Sequence, residues 1–163
     1  MSDLLSKLST YNIFNYLLPG SIFVFLCRAR GIFRFGIESI IVEFFLYYFA
    51  GMTISRIGSI IVEPTCLKLG IVKYAPYRDY LRAAKADPQI EVLLEANNTY
   101  RTIVAMFVCV LIAAGVVAAA AWLRLSDAVV GLVVAVLMTI LYVMAYRKQT
   151  AYIRKRVERQ MEE

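Results

Sequence analysis

The apolar positions of this chain fall into blocks separated by basic segments, the layout of a polytopic membrane protein. A crossing helix needs roughly 20 apolar residues. Residues 102–122 meet that length without a single charge and are the clearest span; the second half of this run is rich in small residues, among them Gly115 and Ala119. A tight loop over 123–127 follows, with Trp122 as an interface anchor, and residues 128–146 form a further span. Upstream, an aromatic-rich run begins at Phe35 and is interrupted by Glu38 and Glu43. Its helical pattern continues through Arg56 and Gly58 to Val62, where Glu63-Pro64 is expected to end it, because a residue before proline is pushed out of the helical region. The first run, from about Ile13 to Cys27, is short on its own and is lengthened by Tyr11 and Asn12. Pro19-Gly20 in its middle predicts a kink. Four spans are therefore predicted, over about 11–27, 36–54, 102–122 and 128–146.

The segments between the spans carry the polar pattern. Residues 1–10 read as a weak amphipathic lead-in, with Leu4, Leu5 and Leu8 on one side. The first run reads as a retained span and not a cleaved signal: no small-x-small site follows it, and Arg28 and Arg30 come directly after. Residues 65–101 form the one substantial polar segment, with Lys68, Lys73, Arg78, Arg82 and Lys85 interleaved with Tyr74, Tyr77 and Tyr80. Asp87-Pro88 is a helix-start signal, and Ile90, Leu93, Leu94 and Asn97 then recur at helical spacing. Two short helices beneath the membrane are predicted here, the second running into the third span. The last 17 residues, 147–163, read as a polar helix with Ile153, Val157 and Met161 in one stripe. The predicted fold is all-α: one membrane domain over 1–163, with a cytoplasmic helical segment at 65–101 and a cytoplasmic C-terminal helix.

Composition agrees. Hydrophobic residues are 61% and charged residues 18%, against about half and a quarter in soluble domains. The net charge is +6, and the basic residues flank apolar runs. That favours anionic lipid headgroups over nucleic acid as the partner of these charges. With both termini and the central segment in the cytoplasm, 14 Lys and Arg lie inside and 4 outside, as the positive-inside rule requires. The expected arrangement is multi-pass, with both termini cytoplasmic. Arg28, Arg30 and Arg34 after the first span dissent; a re-entrant first span would return them to the cytoplasmic side.

Candidate chemistry is sparse. The chain has no histidine, which removes imidazole acid–base catalysis, Ser-His-Asp triads and His metal ligands. Cys27, Cys66 and Cys109 are odd in number and widely spaced, with no CxxC pair. No phosphate loop or nucleophile elbow is present. The expectation is a non-enzymatic protein without cofactor or metal. Glu43 is the most informative residue: an ionisable group within a span is a functional candidate. It is either a pore-lining carboxylate or a structural hydrogen-bond partner, for example to a tyrosine or Asn15. Glu38 lies nearer the outer edge and is spaced to pair with Arg34. Gly51, Ser55 and Ser59 recur at four-residue intervals, a spacing that lets helices approach closely, within a subunit or between subunits. Arg56 and Glu63 share a helical face and read as a structural pair or a headgroup contact. Lys73, Arg78, Arg82 and Lys85, with Arg154 and Arg156 in the tail, are candidates for the membrane interface or a partner protein.

The stretch Tyr11-Asn-Ile-Phe-Asn-Tyr-Leu-Leu-Pro-Gly20 resembles the first span of small bacterial four-span membrane proteins of uncharacterised function. Some of these are similar to membrane subunits of anti-phage defence systems such as Kiwa. The resemblance covers about ten residues and the four-span layout. It implies a bacterial inner membrane, admits a defence role and points to no functional residue. The function expected from the whole sequence is a homo-oligomeric membrane sensor or scaffold, or a membrane-perturbing subunit, that docks a cytoplasmic partner. The alternative is a small ion channel lined by Glu43.

Overall fold

Backbone hydrogen bonds inside a bilayer must be satisfied within each segment, and the apolar runs meet that demand as helices. The computed structural model describes residues 2–33 and 39–162, and among these every regular element is helical. Helix α1 spans Ser2–Ala29, α2 Ile40–Ile57, α3 Glu63–Lys68, α4 Tyr77–Ala86, α5 Gln89–Trp122 and α6 Asp127–Glu162. A π turn, Gly58–Val62, joins α2 to α3. Three of these stretches are long and apolar enough to cross a membrane: Ile40–Lys68, Gln89–Trp122 and Asp127–Met161. Ile13–Ala29 is a shorter apolar helix.

One expectation needs correction. Pro64 does not end the second helical run. Proline removes an N–H and its ring meets the carbonyl four residues back. The chain widens just before it: the Glu63 N–H reaches the Gly58 carbonyl, five residues back. Pro64 then occupies the first turn of α3, where no donor is needed, and the helix continues to Lys68. The tail is helical, and residues 147–162 continue α6 without a break. Likewise α1 runs as one helix through Pro19.

The chain divides into two units, Met1–Val116 and Val117–Glu163. In the first, α1 and α2 run antiparallel at very short range. A β-carbon on Gly20 would lie 1.8 Å from the Tyr47 carbonyl oxygen, and one on Gly51 would lie 1.7 Å from that of Tyr16. The two backbones therefore touch where both residues lack a side chain. Tyr16 and Tyr48 meet edge to face at 5.6 Å beside this contact. Helix α5 closes the unit: Ile54 packs with Ala105, Met106 and Cys109, and Phe23, Ile57 and Val62 lie against them. The core thus sits where α1, α2 and α5 converge. In the second unit, α5 ends in a left-handed turn. Arg124 has φ of 53°, and the Leu125 N–H bonds the Ala120 carbonyl at 2.9 Å, the Schellman pattern of a helix end. Gly31 and Gly70 close α1 and α3 in the same way.

Candidate functional site in the polar groups of the spans

Glu43 lies in the first turn of α2 and Arg28 in the last turn of α1. Each charge therefore stands at the helix end whose dipole favours it. Because the helices are antiparallel, these two ends adjoin, and the Arg28 Nη1 donates to Glu43 Oε1 in an ion pair. The same nitrogen lies 3.4 Å from the Tyr47 hydroxyl. Both charged side chains are about three-quarters covered, at 29% and 24% exposure. Glu43 is thus a paired carboxylate. Asn15, named above as one partner for it, is buried elsewhere and accepts a hydrogen bond from the Thr99 hydroxyl at 3.3 Å.

A second ion pair joins Glu63, just after the π turn, to Arg101 of α5. Arg56, which shares a helical face with Glu63, is not its partner. A set of uncharged polar contacts accompanies these two ion pairs. Thr102 is fully buried; its hydroxyl is 2.8 Å from the Asn98 carbonyl and 3.4 Å from Ser55 Oγ. Together with Asn15 and Thr99, these groups join α1 and α2 to the middle of α5.

The small-residue stripe is used within the chain. Gly51 faces α1 across the backbone contact, Ser55 faces Thr102 of α5, and Ser59 is half-buried. Gly58 belongs to the same packing: its added β-carbon would meet the Ala105 β-carbon at 3.3 Å. The second small-residue face, at Gly115, has nothing within 4 Å of an added β-carbon among the described residues. Lys73, Arg78, Arg82 and Lys85 are all exposed, the last three on α4. Arg154 and Arg156 are exposed on α6, and Arg154 Nε lies 3.5 Å from Glu158 Oε1 one turn on. Glu38, its expected partner Arg34 and the start of the second predicted span lie outside the described residues.

Gly20, Arg28, Thr99, Arg101 and Thr102 are the contributors that single-residue inspection misses. A signal for two of them exists. Gly20 with Gly51, and Arg28 with Glu43, are each symmetric about the same point, midway between positions 35 and 36. In an antiparallel helical hairpin, residues equidistant from the turn meet.

Among the described residues, no group of three or more Cys, Asp or Glu is clustered as a metal site would need. What the arrangement can do is hold helices together. Its three long apolar helices, shorter fourth and absence of strands among the described residues are those of a helical membrane protein. No protein-family model, curated protein or solved structure matches this chain.

Proposed function

We propose that this protein is a non-enzymatic membrane scaffold. It holds four helices in a bacterial inner membrane with both termini cytoplasmic, and it presents its cytoplasmic segments to a partner protein. The observation that carries this reading is the Arg28–Glu43 pair. A cation pathway needs carboxylates that face water and attract ions. Here the Glu43 carboxylate, in the first turn of α2, is matched by a guanidinium of the same chain, which also neighbours the Tyr47 hydroxyl. Charges held this way lock the α1–α2 hairpin in register. The unbroken course of α1 through Pro19 supports a full crossing over a re-entrant loop. Self-association, expected from Gly51 and Ser55, loses that stripe as its carrier, since both residues face helices of their own subunit.

The test is a comparison of wild type with Glu43→Gln and Arg28→Gln in planar bilayers, with thermal unfolding in micelles alongside. The scaffold reading expects no cation-selective current from any of the three, and a lowered midpoint for both variants. Reproducible cation-selective current from wild type, lost in Glu43→Gln while the fold survives, overturns it in favour of a channel.

A further inference from the structure

Helix α6 runs from Asp127 to Glu162 without interruption, yet its apolar sequence stops at Tyr146. At 1.5 Å per residue, the remaining 16 residues carry the helix about 24 Å past the end of the span. Along that extension one face stays apolar. Ile153, Val157 and Met161 follow Tyr146 on a single stripe at helical spacing, with exposures of 56%, 56% and 84%. A basic amphipathic helix ordinarily suits either a membrane surface or a partner helix. The continuity of α6 decides between them. A helix that leaves the bilayer end-on and does not bend cannot lay its outer stripe on the headgroups, and no glycine or proline follows Gly131 to bend it.

Charge narrows the partner further. Residues 147–163 hold six basic and three acidic groups. Arg154 and Arg156 are exposed and stand on opposite sides of the stripe at Val157, in the flanking positions that set partner choice in paired helices. A second copy aligned in parallel would bring arginine-flanked seams together, which like charges disfavour. An acidic helix would meet Arg156 on one flank and Arg154, which neighbours Glu158, on the other, and would bury the three apolar side chains.

We propose that the Ile153–Val157–Met161 face of α6 docks an acidic amphipathic helix of a partner protein. The proposal rests on the scaffold reading above and gives its partner a chemistry. The stripe supplies affinity; Arg154 and Arg156 select the sign of the partner.

The experiment uses the full chain in phosphatidylcholine nanodiscs and two synthetic helical peptides of three heptads. Both have leucine along the seam; one is flanked by glutamate and the other by lysine. Wild type should bind the glutamate peptide, more weakly as salt rises, and not the lysine peptide. Ile153→Asn with Val157→Asn should weaken that binding about tenfold or more, a loss of ~1.4 kcal/mol. Arg154→Glu with Arg156→Glu should transfer the preference to the lysine peptide. Arg154→Lys with Arg156→Lys should keep the original preference and shows that the altered helix is intact. Equal binding of both peptides, or of neither, overturns the proposal. So does an oligomer in native mass spectrometry that Ile153→Asn with Val157→Asn dissolves while no peptide binds, which assigns the face to a second copy. Slowed hydrogen exchange over 147–162 in phosphatidylglycerol discs, again without peptide binding, assigns it to lipid and equally overturns the proposal. None of these results changes the bilayer recordings, so failure here leaves the scaffold reading separately decided.

Discussion

At Gly20 and Gly51 the missing β-carbon sets the distance between two helices, because each would drive a methyl group into a backbone carbonyl of the other. Gly20→Ala and Gly51→Ala should each cost about 3 kcal/mol, the upper end for overpacking, read as a lowered midpoint in chemical unfolding from micelles. Gly58→Ala meets a side chain at 3.3 Å and should cost only ~1 kcal/mol. Among the described residues nothing lies within 4 Å of a β-carbon added at Gly115 or Gly131, so alanine there should gain up to ~1 kcal/mol from helix propensity. A flat response across the five positions would show that the α1–α2 contact is not backbone to backbone. Arg124 presents the opposite case, a side chain where the helix end favours glycine. Arg124→Gly should raise the thermal midpoint, through a gain of up to ~1 kcal/mol from relief of the left-handed conformation. Glycines at positions 31 and 70 advertise their turns in the sequence, and the turn at Arg124 does not. Gly20 reads as half of a kink signal beside Pro19, because local sequence does not say which chain comes near. Only its symmetry with Gly51 about one point hints at the contact.

The long helices were legible from their apolar runs, and helix ends were legible where a side chain makes them. Asp87 is such a case: its carboxylate accepts the Gln89 N–H at 2.9 Å, and α5 begins there as the Asp-Pro signal predicts. The continuation past Pro64 was not legible, because the rule that proline stops a helix assumes an α register. The π turn over Gly58–Val62 changes that register and leaves room for the ring. It also precedes Glu63, whose ion pair with Arg101 fastens this segment to α5. Both side chains are mostly covered, at 19% and 16% exposure. Glu63→Gln should therefore cost about 2 kcal/mol, the scale of a hydrogen bond between charged groups. Arg101→Gln should cost a similar amount, and the double variant less than their sum. Additive losses in the same unfolding assay would mean that the two side chains act separately.

For the molecule as a whole, apolar run lengths made the membrane class legible, and the polar contacts that unite α1, α2 and α5 were not, since they join positions as far apart as Asn15 and Thr99. Alkaline carbonate should leave the protein in the membrane pellet, and its release would remove the basis for every span. Topology is tested in a background with Cys27, Cys66 and Cys109 replaced by serine. An impermeant thiol reagent on intact cells should label Asp127→Cys and not Gln160→Cys, and the reverse pattern would invert the protein. The same two positions lie on one uninterrupted rod, and rods have a mechanical property that packed loops lack. A stiff helix pivoting at mid-bilayer, near Leu137, has about 37 Å of length from that pivot to its tip. Membrane helices tilt over tens of degrees as bilayer thickness changes. A swing of about 10° within that range moves the tip sideways by about 6 Å, more than the rise of one helical turn. Any tilt that thinning or thickening of the lipid imposed on such a rod would be magnified into travel in the aqueous phase, as in a lever whose short arm is the apolar span and whose long arm is the polar extension.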